Sequence, residues 1–162
     1  MKQSSLLILA IAAFSGLMVT NVLAQNPHFQ NCSSSGPDNS GNLQACFRIA
    51  GLGQTPTTIA ASSSATALYG CLNNGGQCPN AANKVSSTGT VTASGTFTPD
   101  RNGHAAGCLT LSPPAPPSSF HCPGGQNMIL ISVSYGTVTL SAPNGATCST
   151  GGGSVNNYPQ CP

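Results

Sequence analysis

Apolar and polar residues alternate along this chain in short runs separated by turn-forming residues. From Leu43 to Ala50 the positions Leu43, Ala45, Phe47 and Ile49 share one phase, while Gln44, Cys46 and Arg48 take the other. Such period-2 alternation predicts a half-buried strand. Thr88 to Thr98 repeats it, with Val91, Ala93, Gly95 and Phe97 against Thr90, Thr92, Ser94, Thr96 and Thr98. One wet face and one buried face is the pattern of an antiparallel sheet. Ala60 to Cys71 shows no apolar stripe at helical spacing, so it is expected as a strand. Pro99 to Gly103 predicts a turn, returning the chain as His104 to Leu111 beside the preceding strand, Leu109 and Leu111 inward.

The densest apolar run is Met128 to Leu140, in which Ile129, Ile131, Val133 and Tyr135 share a face and Val138 and Leu140 fall in the opposite phase. A one-residue bulge at Gly136 would point both halves inward, a role glycine commonly fills. Between the strands lie Asn74-Gly75, which suits a tight turn, the stiff connector around Pro113, Pro114, Pro116 and Pro117, and a turn at Pro143-Asn144-Gly145. Asn80 to Lys84 has room for one helical turn. Together these elements predict an all-β fold, an immunoglobulin-like antiparallel β-sandwich, with a small β-barrel as the alternative.

The two ends of the chain read differently. Met1 to Ala24 has a lysine at position 2, an apolar stretch from Leu6 to Val19 and small residues before Gln25, the pattern of a cleaved signal peptide. Ser15, Thr20 and Asn21 interrupt it too soon for a membrane span, which needs about 20 apolar residues. Residues 25–42, rich in Pro, Gly, Ser and Asn, predict an N-terminal arm. Residues 43–148 are expected as the sandwich, and 149–162 as a Gly-rich tail. Asn31-Cys32-Ser33 fits a glycan acceptor pattern but reads here as a polar turn.

Composition explains why eight cysteines are present. Leu, Ile, Val and Phe make up about 15% of the residues after Ala24, under the roughly 20% at which a chain struggles to build a core. Behind an export signal, Cys32, Cys46, Cys71, Cys78, Cys108, Cys122, Cys148 and Cys161 read as disulfide partners. Spacing suggests local bridges: Cys71 to Cys78 across the turn, Cys108 to Cys122 around the proline connector, and Cys148 to Cys161 tying back the tail. The implied location is secreted, extracellular or periplasmic.

Charge excludes several functions. The 162 residues hold four Lys and Arg and two acidic residues, which argues against nucleic acid and against an electrostatic membrane partner. With Asp38 and Asp100 as the only carboxylates and no Glu, paired-carboxylate glycoside hydrolysis has little to work with. His28, His104 and His121 lack metal-ligand spacing and no G-x-S-x-G nucleophile turn exists. His104 and His121, with Met128 nearby, are the candidates for a soft metal site, and no cofactor is implied.

The Thr rank of residues 88–98, with Thr137 and Thr139 as possible neighbours, suggests an array able to bind an ordered surface such as ice or crystalline polysaccharide. Strand propensity alone accounts for solvent-facing Thr, and no internal repeat multiplies the rank. Without Trp, sugar stacking falls to Tyr158, since Tyr69 and Tyr135 are expected in the core.

The stretches FRIAGLG (47–53), YGCLNNGGQCPNAANK (69–84), NGH with CLTLSPP (102–114) and CPGGQNMILISVSYGTVTL (122–140) resemble a group of small secreted bacterial proteins of unknown function. The resemblance implies export and a compact β-domain, and transfers no catalytic residue. The leading functional expectation is a secreted, non-enzymatic structural or binding module whose partner is an extracellular protein or surface. The alternatives are a small metal binder or enzyme using His104 and His121, with Asp100 and Arg101 in support, and an exported effector or inhibitor acting through loops 72–77 and 113–119.

Overall fold

A computed structural model describes residues 26–77 and 83–159. The expected signal peptide, the helical turn expected at Asn80 to Lys84 in all but its last two residues, and Cys78 and Cys161 lie outside them. Nine strands follow in order: β1 (His28–Ser35), β2 (Leu43–Ala50), β3 (Thr57–Asn73), β4 (Lys84–Phe97), β5 (Ala105–Leu111), β6 (Gln126–Tyr135), β7 (Val138–Ser141), β8 (Thr147–Thr150) and β9 (Ser154–Asn156). All pairing is antiparallel, and no described residue is in an α-helix. The fold is an all-β sandwich of two sheets, β1-β2-β5 facing a larger one built on β3.

The larger sheet is simpler than its six strands suggest. β4 pairs with β3 from Thr57 to Gly70 without interruption, so it occupies nearly all of one edge of that strand. β6 and β7 share the other edge, and β8 and β9 pair with them in one common register: Val138 faces Thr150 and Val133 faces Val155. Six segments therefore make four ribbons, β4, β3, β6 with β7, and β8 with β9. The last two form one hairpin about the Pro143-Asn144-Gly145 turn, closed by the Gly145 N–H to Ala142 oxygen bond (3.0 Å).

The break in this hairpin is the bulge expected at Gly136. Between Ala65↔Tyr135 and Ser62↔Thr139 the β6–β7 ribbon carries one residue more than β3. That extra residue restores the inward phase, so Tyr135, Val138 and Leu140 are all buried. The Gly136 N–H donates to the Ser64 oxygen (2.8 Å), and the buried Ser63 hydroxyl donates to the Gly136 oxygen (3.1 Å). Across the hairpin Gly152 packs so close that a Cβ there would run into the Tyr135 and Gly136 oxygens; only glycine fits.

A second bulge corrects the reading of β6. The register with β3 shifts between Leu68 and Tyr69, so Leu130, and not Ile129, packs against the core, while Ile129 is half-buried. Period-2 counting missed it because two apolar neighbours, Leu130 and Ile131, let either phase look hydrophobic. Elsewhere the phases hold. Leu43, Ala45, Phe47 and Ile49 are buried, as are Leu109 and Leu111. Opposite them β3 offers only Ile59, Ala61, Ala65 and Ala67, so large side chains of one sheet meet small ones of the other.

Four other expectations are corrected. β5 pairs with β2 and not with β4, placing the two arms of the expected 88–111 hairpin in different sheets. They still meet through Phe97, whose ring covers Gly107 of β5, leaving no room for a Cβ, and stands edge-on to Phe47 with ring centres 4.8 Å apart. The stretch expected as an N-terminal arm contributes β1, including Asn31-Cys32-Ser33, and the stretch expected as a tail contributes β9. At Asn74-Gly75 positive φ falls on Gly76 instead. The Asn73 side chain organises this turn, accepting from the Gly75 and Gln77 N–H groups.

The local bridges expected from spacing give way to long-range ones: Cys32–Cys148, Cys46–Cys108 and Cys71–Cys122. Cys46 and Cys108 sit directly opposite on β2 and β5, Cys71 reaches the segment leading into β6, and Cys32–Cys148 joins the two sheets through β1 and β8. Since it closes the longest loop, with a separation of 116 residues, replacing both its cysteines by alanine should cost about 2 to 5 kcal/mol by denaturant titration.

Tyr135 is the polar tie inside the core. Its hydroxyl bonds the oxygens of Gly41 (2.7 Å) and Leu111 (3.2 Å). Burial pushes its phenol up to about 12, with Tyr69 and Asp38 adding to the effect. An unfolded tyrosine titrates near about 10, so the folded chain holds this proton more tightly. The stabilisation is complete below about pH 10 and is lost as pH rises towards 12. Tyr135→Phe should cost about 1 to 3 kcal/mol by removing the one buried donor shared between the Gly41 and Leu111 oxygens, and its stability should fall less steeply over that alkaline window.

Candidate functional site

The two carboxylates are spent on local structure. Asp38 Oδ1 accepts from the N–H groups of Ser40 and Asn42, both at 2.9 Å. Asp100 Oδ1 does the same for Asn102 (2.8 Å) and His104 (2.9 Å). Those turns need a short side-chain acceptor, which is why the two carboxylates stand there. The backbone bond from His104 is the main cause holding the Asp100 carboxyl below its usual range, with Asn102 and the charges of His104 and Arg48 contributing.

His104 Nδ1 lies 4.0 Å from Asp100 Oδ2, beside an open cleft of about 400 Å³ that also takes in Arg48. The cleft does not include His121, an exposed residue between the proline connector and Cys122, or Arg101. His28 is exposed, with Nδ1 3.0 Å from the Asn26 oxygen. Among the described residues no three His, Cys, Asp or Glu side chains gather as a metal site would require. The proline connector is held down by two donors, the Tyr69 hydroxyl to the Pro114 oxygen (3.0 Å) and the Ser87 hydroxyl to the Ala115 oxygen (2.7 Å).

Beside β9 an open groove of about 540 Å³ takes in Ile129, Asn157 and Tyr158. Its amides face inward in function: Asn157 Nδ2 donates to the Asn39 and Leu130 oxygens, and Asn156 Oδ1 accepts from the Tyr158 N–H. Tyr158, expected as a free ring, is half-buried there.

The feature with no structural debt is the outer face of the larger sheet. Because pairing sets opposite residues on the same side, the registers define rows running across the four ribbons. One row is Ser94, Ala60, Ser141 and Thr147; the next is Thr92, Ser62, Thr139 and Ser149. Beyond the bulge come Thr88, Thr66, Ser134 and Ser154, then Ser86, Leu68, Ser132 and Asn156. Thr90 faces Ser64 and Thr96 faces Thr58.

Nearly every outward position in these rows is Ser or Thr, and none is charged. Several hydroxyls meet across strands: Thr58 with Thr96 at 3.2 Å, Thr66 with Thr88 at 3.0 Å, Thr139 with Ser149 at 3.4 Å. A shallow depression of about 250 Å³ lies within the array, between Thr66, Leu68, Ser132, Ser134, Ser154 and Asn156.

The Thr rank of residues 88–98 was legible from alternation, but its neighbours were not. Only the pairing of β3 with β4 and β6 assembles the face, and the Ser-rich segments Ser62-Ser63-Ser64 and Ser132 to Ser134 carry no motif. Thr139 belongs to the array. Thr137, in the bulge segment, has no strand partner in it. Comparison with protein-family models, curated proteins and solved structures finds no match.

Asp100→Ala should lower the melting temperature at neutral pH. The folded carboxyl is depressed, so its stabilisation is present above the ordinary carboxylate range and lost as pH falls through the folded value. The gap between variant and wild type should therefore narrow on acidification, as read by thermal melts at a series of pH values.

Proposed function

We propose that this protein is an exported, non-enzymatic binding module whose binding element is the hydroxyl face of its larger sheet. Export rests on the signal-like residues 1–24, on the resemblance to small secreted bacterial proteins, and on disulfides, which persist in oxidising compartments. The strand connectivity supports an immunoglobulin-like reading. In that reading β1, β2 and β5 correspond to strands A, B and E, and β4, β3, β6–β7 and β8–β9 to C′, C, F and G.

The observation that carries the function is the array itself: rows of Ser and Thr across four ribbons with no charge among them. Sheet geometry spaces such hydroxyls about 4.8 Å apart between strands and about 6.7 Å apart along them. β-Branched Thr is stiff about χ1, so little side-chain entropy is lost when the face meets a ligand. No strongly hydrated ion has to be stripped of water, a step that would cost far more than burying a hydroxyl that finds a partner. Each contact is weak, and a periodic ligand makes many at once.

The ligand class is therefore a rigid, uncharged lattice of hydroxyl groups, either a crystalline polysaccharide or ice. Recognition by this face proceeds without aromatic stacking, since Tyr69 and Tyr135 are engaged inside the sandwich and Tyr158 sits half-buried in the groove beside β9.

The test has two arms, co-sedimentation of the oxidised protein with crystalline cellulose or chitin, and partition into growing ice. The wild type should adsorb in one arm. Thr66→Tyr with Ser154→Tyr, both exposed and at the depression, should abolish adsorption without lowering the melting temperature. Gln44→Tyr with Thr110→Tyr, on the outside of the smaller sheet, should leave it intact. Adsorption in neither arm, or equal loss from both pairs of variants, defeats the reading.

A further inference from the structure

Sheets end in edges, and this protein treats its edges unequally. β1 is interrupted by a register shift between Phe29 and Asn31 and is tethered by Cys32 to β8. β5 has seven residues and runs into Pro113 and Pro114, while β8 and β9 have four and three. Short length, bulges and proline are the usual devices that keep an edge from pairing with another chain. β4 has none of them. It runs for 14 residues, holds an unshifted register with β3, contains no proline, and carries no charge after Lys84. Among the described residues it pairs with no strand but β3.

The side chains of this edge match themselves. Thr88, Thr90, Thr92, Ser94 and Thr96 point outward, and Gly89, Val91, Ala93 and Gly95 occupy the inner phase. A two-fold axis through Thr92 would set Thr88 opposite Thr96, Thr90 opposite Ser94 and Thr92 opposite Thr92. On the inner side Gly89 would meet Gly95 and Val91 would meet Ala93. The outward pairs repeat the Thr–Thr contact that the chain already makes between β3 and β4 at Thr58–Thr96 and Thr66–Thr88. With no charge from Val85 to Phe97, nothing repels the second copy, and like charges directly opposite are what would forbid such pairing.

We propose that the β4 edge is an interface for a second copy of this chain, joining two larger sheets antiparallel about Thr92 into one continuous sheet. The interface is isologous, as a closed two-fold dimer requires. It also satisfies outward backbone groups of β4 that no other described strand pairs. The half-buried Val91 and Ala93 gain an apolar neighbour on the inner side. The dimer would place both hydroxyl faces on the same side of one sheet, yet its existence does not depend on what those faces bind.

Sedimentation velocity of the oxidised, signal-free protein over a range of concentrations tests this directly. The expected result is a reversible monomer–dimer equilibrium. Thr92→Lys and Thr92→Glu, each on the solvent side, should weaken self-association at least about tenfold, because each places like charges opposite one another. Mixing the two variants should restore association as a heterodimer. Melting temperatures in the monomeric range should match the wild type, separating lost pairing from lost folding. A wild type that stays monomeric throughout, variants that associate as the wild type does, or a mixture that fails to recover would each overturn the proposal.

Discussion

Pairing along both edges of β3 is the constraint on which the rest of this structure depends. β3 runs from Thr57 to Asn73 and meets β4 on one side and β6 and β7 on the other. Apart from Ile59 its inward residues are small, so it contributes little apolar area at about 25 cal/mol per Å². What it contributes instead is a long double ladder of backbone hydrogen bonds. Those bonds hold the larger sheet in register while Leu43, Phe47, Ile49, Leu109 and Leu111 of the smaller sheet supply the bulk. A strand of Ala and Ser can hold the centre because its neighbours leave it little other way to satisfy its backbone.

That economy makes the bulges necessary. A strand that follows β3 for its whole length on one edge must keep its apolar residues inward throughout, and β6–β7 does so only by inserting residues near Ile131 and at Gly136. The Gly136 bulge also explains the Ser63 hydroxyl and the glycine at 152. The extra residue pushes the Gly136 carbonyl out of the ladder. Ser63 supplies a donor for it from inside, and Gly152 lets the next ribbon close over the gap. Immediately beside this break Tyr135 ties the hairpin to Gly41 and to Leu111, joining the sheets where the ladder is weakest.

The parts of this design set by one strand at a time were legible in the sequence. Leu43–Ala50 ends where alternation ends, and the outward Thr rank of β4 was visible residue by residue. What alternation does not carry is partner choice. The Pro99–Gly103 turn suggested that β5 returns beside β4, yet Leu109 and Leu111 are satisfied equally well in the opposite sheet, and β5 pairs with β2. The cysteines failed for the same reason: nearness along the chain favoured Cys71 with Cys78, whereas the sandwich brings Cys71 to Cys122. The hydroxyl face was half visible, because the Ser residues of β3 and β6 gain meaning only from the strands beside them.

With so few charges on this chain, hydration of the outer face of the larger sheet falls to its hydroxyls. Ser and Thr hydrate well enough to keep a sheet surface in water, but they hydrate without the penalty that makes Lys or Glu costly to cover. The same composition therefore keeps the face wet in solution and leaves it cheap to dehydrate against a matching surface. Charge would have been the simpler route to solubility, and it is also the usual guard on an exposed edge such as β4. Its absence from β4 after Lys84, and from the rows of the face beside it, leaves this side of the molecule unguarded. The outer face and the open edge are consequences of one choice in composition, made on the sheet whose centre is β3.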